Sequence, residues 1–335
     1  MTSAKELTAE IKSLARDEGF ARVGVARAGP VDRRAAAAYR RWIALGRHAG
    51  MDYLARNADI RGDPSRLVAG AGSVICLAVG YAGGPDQPAG AAFVSRYARG
   101  RDYHKVLKRR CTRLMDRIRG IEPAFEGRAF VDTAPLMERT LAAAAGVGWI
   151  GRNGCLIAPR LGSYLFLCEI VCNLALQPDS PLPGGCGDCR ACLDACPTGA
   201  LLGDGTMDAE RCISYLTIEH RGAIPPTLRE RMGERVFGCD CCQEACPHNA
   251  GASAGDAELR DQNRCPRASV ADILSWSDED YVNATRGSAL RRATREMFLR
   301  NAIIAAGNGG DGALRAALER LAAADETLAE PARWA

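Results

Sequence analysis

Cysteines are concentrated in one short block, and this block constrains the fold more than any other feature of the sequence. Residues 186–250 hold nine of the fifteen cysteines in the 335-residue chain. The first run, Cys186-Gly-Asp-Cys189-Arg-Ala-Cys192-Leu-Asp-Ala-Cys196-Pro, has the C-x2-C-x2-C-x3-C-P spacing of bacterial ferredoxins. In that spacing three thiolates bind one [4Fe–4S] cluster, and the fourth binds the other cluster when two are present. The block therefore predicts an iron–sulfur domain.

A second run repeats the C-x2-C-x3-C-P frame with Cys239, Cys242 and Cys246. It lacks the first cysteine of the complete pattern, and Cys212 is the nearest residue that could supply it. Cys241 is an alternative to Cys242, although only Cys242 keeps the ferredoxin spacing. A zinc site would explain one C-x2-C pair, but not two runs that end in C-x3-C-P.

Eight cysteines can therefore be divided between two clusters. We predict that Cys186, Cys189, Cys192 and Cys246 bind the first cluster. The second cluster is then bound by Cys196, Cys212, Cys239 and Cys242. Most of the other cysteines are expected to be ordinary buried thiols. These are Cys76, Cys111, Cys155, Cys168, Cys172 and Cys265.

The start of the chain predicts a cytoplasmic protein. Residues 1–20 carry Lys5, Glu6, Glu10 and Lys12 in an amphipathic pattern, without an apolar segment or a twin arginine typical of export. Thiols stay reduced in the cytoplasm, which disfavours disulfides. No run of about 18 apolar residues predicts a membrane span. The net charge of +4 permits nucleic-acid binding without arguing for it.

Strands and helices alternate over the first 175 residues or so, which predicts a layered α/β domain. Patterns typical of helices cover 4–19, 34–45, 104–118 and 136–145, and those typical of strands cover 21–25, 73–80, 129–132 and 163–171. Prolines and glycines then interrupt the chain after residue 178. Two further helical patterns, 288–306 and 313–324, resemble one α-solenoid unit.

We therefore predict an α+β multidomain fold. Residues 1–178 form the layered α/β domain, and residues 179–255 form a ferredoxin-like domain with two [4Fe–4S] clusters. Residues 256–335 form a short α-helical, HEAT-like region. No dinucleotide fingerprint or P-loop occurs. The sequence Asp102-Tyr-His104 begins like the D-x-H-x-x-G motif that ligates cobalamin, but Leu107 replaces the glycine, which argues against a histidine ligand to cobalt.

Several stretches resemble the epoxyqueuosine reductase family, the cobalamin- and iron–sulfur-dependent enzymes of tRNA queuosine synthesis. The resemblance covers residues 5–325 and includes the cysteine block. The most specific stretches are Val131-Asp-Thr133 with its continuation to Arg139, and Cys212-Ile-Ser-Tyr-Leu-Thr217. The other matching stretches are Arg61-Gly-Asp-Pro64, residues 96–104, residues 146–153, and Arg300-Asn301-Ala302.

The resemblance implies a cobalamin-binding catalytic domain in residues 1–178, with the corrinoid held against the ferredoxin-like domain. It implies removal of the epoxide oxygen from epoxyqueuosine in the anticodon loop of tRNA. Asp132 is then the proton donor and contacts the cofactor, and Arg61, Leu156 and Ser214 are further cobalamin contacts. The expected partners are tRNA carrying epoxyqueuosine and an external electron donor of the flavodoxin or ferredoxin type. No membrane is expected as a partner, and the protein is expected to be a monomer.

The residues alone leave alternatives. A carboxylic acid donates a proton near neutral pH only if its pKa is raised. Asp132 follows an apolar strand, so we expect it to be buried and its pKa to be raised by the loss of water. Asp132 could instead cap the next helix. His104 could be a helix-start side chain. Tyr215 could stack on a base or lie in the core. An arginine set could form a solvated face or contact phosphates, namely Arg291, Arg292, Arg295 and Arg300.

Two other functional classes fit part of the pattern. A reductive dehalogenase would combine the same cofactors but typically carries an export signal, which is not seen at this N-terminus. An electron-transfer subunit would need the two clusters, but it would have no corrinoid pocket and no use for Asp132.

Overall fold

The computed structural model describes residues 3–83, 87, 90–260 and 268–335. Its helices are α1 (Ala4–Asp17), α2 (Arg33–Ala44), α3 (Asp52–Arg56), α4 (Ala58–Arg61), α5 (Tyr103–Ile121), α6 (Glu138–Ala144), α7 (Ala191–Asp194), α8 (Ile213–Ile218), α9 (Pro226–Met232), α10 (Cys241–Glu244), α11 (Val270–Leu274), α12 (Asp278–Thr285), α13 (Arg295–Gly309), α14 (Arg315–Ala324) and α15 (Glu326–Trp334). Its strands are β1 (Arg22–Arg27), β2 (Ser73–Gly80), β3 (Phe93–Val94), β4 (Gly127–Phe130), β5 (Trp149–Ile150), β6 (Leu156–Ile157), β7 (Leu165–Cys172) and β8 (Arg235–Phe237).

A four-stranded sheet with the order β1-β2-β7-β4 forms the centre of the N-terminal part. All three strand pairs are antiparallel, so the predicted alternation of strands and helices yields an α+β arrangement rather than parallel β-α-β units. Every residue of β2 is buried because the strand has neighbours on both edges and layers on both faces. The predicted strand at 73–80 is therefore confirmed in type and bounds.

Helices cover both faces of this sheet. On one face, α1 and α5 pack their apolar side chains against the sheet, including Ile11 and Leu114. On the other face, α6 contributes Leu141 and Ala142 to a second core that also contains Val74. Helix α1 begins with a capping box in which Ser3 and Glu6 satisfy each other's backbone amides. The apolar periodicity that predicted these helices thus corresponds to the faces that they bury.

The cysteine block folds into two short, similar pieces. Helices α7 and α10 each lie within one C-x2-C-x3-C run, and each is followed closely by a Cys-Pro pair. The two helices contact each other. Strand β8 of this region pairs in parallel with β3, which precedes α5. The N-terminal and cysteine-rich parts therefore share a small sheet, and the predicted domain boundaries stay predictions.

The C-terminal region is organised around α13. This helix is buried on nearly all sides and packs against α9, α11, α15 and β8. The predicted helix at 288–306 is in fact divided, because a 3-10 turn at Ala289–Arg292 precedes α13. Helix α13 ends at Gly310, whose φ of +66° is the left-handed conformation that favours glycine. Helix α14 confirms the helix predicted at 313–324, whereas α15 was not predicted. The HEAT-like character of the region stays a prediction.

Among the described residues, no helix combines the length and the apolarity that crossing a bilayer requires.

Candidate active site

One large cavity, with a volume of about 1160 Å³, lies between the N-terminal part and the cysteine block. It exceeds the range of roughly 300–1,000 Å³ that is common for small-molecule pockets. Its wall is formed by the region of α3 and α4, the start of α5, the loop after β4, the segments around α8 and α10, and residues 288–292. Segments far apart in the chain therefore meet around one space.

Asp132 lies on this wall in a tight turn that follows β4. The Thr133 N–H donates to the Val131 carbonyl over 2.6 Å, and Asp132 between them has a φ of +55°. This is a three-residue γ-turn with positive φ, a rare and strained form. Strand β4 ends at Phe130 because the turn begins there, so the predicted strand at 129–132 was too long.

The carboxyl group of Asp132 is held by two side chains from the start of α5. The Tyr103 hydroxyl donates to Asp132 Oδ2 over 2.6 Å, and His104 Nε2 lies 3.6 Å from the same oxygen. His104 Nδ1 in turn lies 2.9 Å from Asp102 Oδ1. Asp102, not His104, is the N-cap of α5. The three consecutive residues 102–104 and Asp132 therefore form one chain of two hydrogen bonds and one ion pair at the cavity.

The pKa values of this chain differ from the sequence-based expectation. Burial acts to raise the pKa of Asp132, but hydrogen bonds from His104 and Tyr103 outweigh burial and lower the pKa. Burial acts to lower the pKa of His104, but its hydrogen bonds with Asp102 and Asp132 raise that pKa to about 9. The prediction of a raised pKa for Asp132 is therefore wrong, and His104, with a pKa of about 9, carries a proton at neutral pH.

The alternative role of Asp132 as a helix cap is also wrong. Helix α6 begins at Glu138, and its N-cap is Met137, which makes no side-chain capping hydrogen bond. The backbone N–H of Asp132 donates to Glu138 Oε1 over 2.9 Å. In this contact a backbone N–H of the turn donates to a side chain of the helix. In a helix cap, by contrast, the side chain before the helix accepts from a backbone N–H of the helix.

Two carboxyl groups near the turn were missed by the sequence analysis. Burial and the charge of Asp132 raise the pKa of Glu138 to about 7. Burial and the neighbouring Glu138 raise the pKa of Glu169 well above its ordinary value. Glu169 is fully buried in β7. A single acidic residue within an otherwise apolar strand was the available sequence signal.

The three other residues predicted to contact cobalamin have different positions. Arg61 and Ser214 line the cavity. The Arg61 Nη1 group donates to the Leu136 carbonyl over 3.3 Å, whereas its buried Nε has no hydrogen-bond partner. Leu156 instead lies in β6 and is buried in the core beside α6, with 3% of its surface exposed. Leu156 is not part of the cavity wall, because its strand pairs with β5 and packs behind that wall.

The predicted cluster ligands form two groups. Cys186, Cys189, Cys192 and Cys246 line one small cleft together with Arg152, Asn153 and His248. Cys196, Cys212, Cys239 and Cys242 all line the large cavity. The folded chain thus brings together the same two sets that the spacing predicts, although each set draws on both runs.

Cys241 also lines the large cavity, so its position alone does not exclude it as a ligand. Its Sγ accepts a hydrogen bond from Arg235 Nη2 over 2.8 Å, and its thiol is also hydrogen-bonded with Cys239. Cys242 is hydrogen-bonded with Cys155 instead. The choice of Cys242 over Cys241 therefore stays a prediction that rests on spacing.

Most of the remaining cysteines are buried, as expected. Four of them are fully buried in the N-terminal core, namely Cys76, Cys111, Cys168 and Cys172. Cys155 differs, because it is partly exposed and lines the large cavity. Cys265 lies outside the described residues.

The four arginines considered for phosphate contacts do not form one surface. Arg300 is buried and donates to the carbonyl oxygens of Leu216, His220 and Gly222. Its role is structural, so its inclusion in a solvated or phosphate-binding face was wrong. Arg291 and Arg292 precede α13 and line the cavity, and Arg295 donates to the Trp276 carbonyl. Tyr215 also contributes to the cavity wall while its hydroxyl accepts from the Gly50 N–H.

Comparison with family models gives two matches. Residues 61–133 match the model of epoxyqueuosine reductase QueG (DUF1730), and residues 185–249 match the model of the 4Fe-4S double cluster binding domain. The first match ends just beyond Asp132, and the second contains all eight predicted cluster ligands.

Relatives match nearly the whole chain. The epoxyqueuosine reductase of Pseudomonas aeruginosa is 40% identical over 98% of this chain and 93% of its own length. That of Escherichia coli is 39% identical over 88% of this chain and 80% of its own length. The crystallised epoxyqueuosine reductase of Streptococcus thermophilus is 31% identical, with a TM-score of 0.90 over 97% of this chain and 88% of its own.

A further solved structure contains an epoxyqueuosine reductase with an epoxyqueuosine-modified stem loop of tyrosine tRNA. It is 28% identical to this chain, with a TM-score of 0.91 over 99% of this chain and 90% of its own. The agreement thus extends across the N-terminal part, the cysteine block and the C-terminal helices. The chain belongs to the epoxyqueuosine reductase family.

Proposed function

We propose that this protein reduces epoxyqueuosine to queuosine in tRNA, using cobalamin and two [4Fe–4S] clusters. One observation carries the proposal: the Asp132 turn and the four cysteines of the second set line the same large cavity. A proton donor and a redox centre would thus face one substrate space. The names of the relatives and the solved complex with a modified stem loop support tRNA as the substrate.

The cavity fits a large, amide-rich cofactor. Its volume of about 1160 Å³ is shared by apolar and polar walls. The buried Nε of Arg61 lacks a partner, and such an orphaned donor is costly unless a ligand satisfies it. Arg61 and Ser214 would hold the polar periphery of cobalamin. When bound, cobalamin supplies a low-valent metal that can break the carbon–oxygen bond, which no side chain can do.

The two cysteine sets are placed to serve different neighbours. Cys186 and Cys189 of the outer cleft are partly exposed, and Gly187 and Asp188 beside them are exposed. The second set faces the cavity. This arrangement supports docking of an external donor, of the flavodoxin or ferredoxin type, at the outer cleft. We further propose that the protein acts as a cytoplasmic monomer.

Asp132 Oδ2 is the atom proposed to deliver a proton to the departing epoxide oxygen. The Asp132 side chain is 58% exposed on the cavity wall, so ligands that fill the cavity would remove much of its water. Loss of water raises the pKa of a carboxyl group. His104, which holds a proton 3.6 Å away, would then pass that proton to Asp132. In this proposal, His104 acts as the proton reservoir of Asp132.

Replacement of His104 by glutamine tests this role. We expect kcat to fall by about tenfold to a hundredfold, which is at or below the lower limit of the range for general acid–base groups, because His104 acts through Asp132. The wild type should lose activity as the pH rises through about 9, because His104 loses its proton there. The variant should lack that decline. His220→Gln is the matched control, and an unchanged alkaline limb in His104→Gln would exclude the reservoir.

Anaerobic reconstitution tests the function as a whole. We expect about eight irons per chain, from two four-iron clusters, and a change in cobalamin absorbance on binding. With a chemical reductant, the protein should convert an epoxyqueuosine-containing tyrosine tRNA stem loop to a product that is one oxygen atom lighter by mass spectrometry. Full iron content without cobalamin binding would instead indicate an electron-transfer subunit.

A further inference from the structure

Two carboxyl groups lie behind the Asp132 turn, on the face of the sheet that α6 covers. Glu138 is the first residue of α6, and Glu169 lies in β7. Glu169 is directly opposite Phe130, the last residue of β4, in the antiparallel register. The turn therefore leaves the sheet beside Glu169, and its backbone contacts the side chain of Glu138.

Glu138 binds the backbone of the turn directly. Its Oε1 accepts the Asp132 N–H over 2.9 Å. With a φ of +55°, Asp132 has a backbone conformation that a non-glycine residue keeps only when its surroundings enforce it. A carboxylate is a stronger acceptor for an N–H than a neutral oxygen is. The contact is thus well suited to maintain the turn and, through it, the direction of the Asp132 carboxyl group.

Glu169 has Glu138 as its partner. Both Glu169 oxygens are buried without a donor from another residue, and the two carboxyl groups are hydrogen-bonded when one carries a proton. An ionised, unpaired carboxylate in this position would be costly, so Glu169 keeps its proton and its O–H donates a hydrogen bond to the Glu138 carboxylate. Other titratable or charged groups act on this pair, namely Asp132 from the turn, Arg139 from α6, Cys76 from β2, Cys168 from β7, and Tyr103 and Cys111 from α5.

We propose that Glu138 is a positioning residue, whose side chain holds the strained Asp132 turn by its backbone N–H while buried Glu169 fixes the orientation of the Glu138 carboxyl group from behind. The activity side of this inference rests on the function proposed above. The structural side, which is the hydrogen bond to the Asp132 amide, does not.

The pair makes the turn sensitive to pH near neutrality. The pKa of Glu138 is raised to about 7, first by burial and then by the charge of Asp132. Above that pH the Asp132 N–H has a charged acceptor, and below it the acceptor is neutral and weaker. The turn should therefore loosen as the pH falls through about 7. With the alkaline limb of His104, this gives a bell-shaped profile for kcat.

Hydrogen exchange of the full-length protein measures the contact without any turnover. The peptide that contains residues 131–137 should exchange slowly in the wild type at pH 8. Glu138→Ala should speed exchange of that peptide by about tenfold or more, because the Asp132 N–H loses its acceptor. Glu138→Gln keeps only a neutral acceptor oxygen, so its exchange rate at pH 8 should lie between those of the wild type and Glu138→Ala. Glu126→Ala, an exposed glutamate before the same strand, is the matched control. Equal exchange in the wild type and Glu138→Ala would overturn the proposal.

Turnover of the modified stem loop adds the catalytic readout. Glu138→Ala should lower kcat by about a hundredfold with little change in KM, because a misplaced catalytic group costs rate rather than binding. Glu138→Gln has a neutral acceptor at every pH, so it should keep the lower kcat that the wild type shows below pH 7 and should lose the acidic limb of the pH profile. Glu169→Leu removes a donor to the Glu138 carboxylate, so the acidic limb should move to higher pH. If the acidic limb were unchanged in both Glu138→Gln and Glu169→Leu, the role of the pair would be overturned. If the wild type were inactive on the stem loop, the proposed function would be refuted. The exchange measurement would still decide whether Glu138 holds the Asp132 turn.

Discussion

Replacement of Asp132 by asparagine is expected to lower kcat on epoxyqueuosine-containing tRNA by about 10² to 10⁴-fold, the range for loss of a general acid. Asparagine has nearly the same shape and can still accept from the Tyr103 hydroxyl, which is 2.6 Å from Asp132 Oδ2. It cannot deliver a proton to the leaving oxygen. The loss should therefore appear in kcat, while KM for the stem loop changes little.

Cofactor content separates this effect from misfolding. The Asp132→Asn protein should retain about eight irons and the cobalamin absorbance of the wild type. Asp59→Asn, at an exposed position of α4, is the control for removal of a carboxylate near the cavity. Full activity of Asp132→Asn would remove Asp132 from the acid role, because no other feature of the substitution compensates for the lost proton.

Loss of one cluster ligand should have an effect of similar size. We expect Cys246→Ala to abolish turnover and to leave about four irons per chain, because one four-iron cluster is lost and the other stays. Cys246 belongs to the second cysteine run, but it lines the outer cleft with Cys186, Cys189 and Cys192. The cluster lost should therefore be the first one.

Comparison of single variants tests this pairing. The residual EPR spectrum of reduced Cys246→Ala should match that of Cys186→Ala and differ from that of Cys196→Ala. Cys242→Ala should resemble Cys196→Ala, whereas Cys241→Ala should keep about eight irons. If Cys246→Ala matched Cys196→Ala instead, the division of the eight cysteines would be wrong. If Cys241→Ala lost iron and Cys242→Ala did not, Cys241 would be the ligand.

Local patterns predicted the parts of the protein that local chemistry determines. The spacing of the cysteines predicted a double-cluster domain, which the family match over residues 185–249 confirms, whereas the division of the eight cysteines between two clusters stays a prediction. Strand β2 was predicted because it is a continuous apolar run, which reflects burial on both faces of the strand. Helix α1 was predicted because its apolar residues recur with helical spacing, which reflects burial of one face. The bounds of α13 were less accurate, since tertiary packing there replaces the first turns with a 3-10 segment.

Features that depend on distant residues were not predicted from the sequence. Burial alone suggested a raised pKa for Asp132, but Tyr103 and His104, which lie almost thirty residues earlier in the chain, reverse the direction. Glu138 and Glu169 meet only because α6 packs on β7. Arg300 looked like part of a basic surface because helical spacing does not show which face a neighbouring element covers.

The buried Arg300 has a consequence for how this protein can be shortened or varied. Its guanidinium group binds carbonyl oxygens at and after the end of α8, the helix that carries Ser214 and directly follows Cys212. The segment that begins with the predicted cluster ligand Cys212 is thus anchored from the C-terminal side of the chain. Truncation upstream of α13 would remove that anchor, so the helical tail belongs to the minimal catalytic unit rather than to a dispensable accessory region.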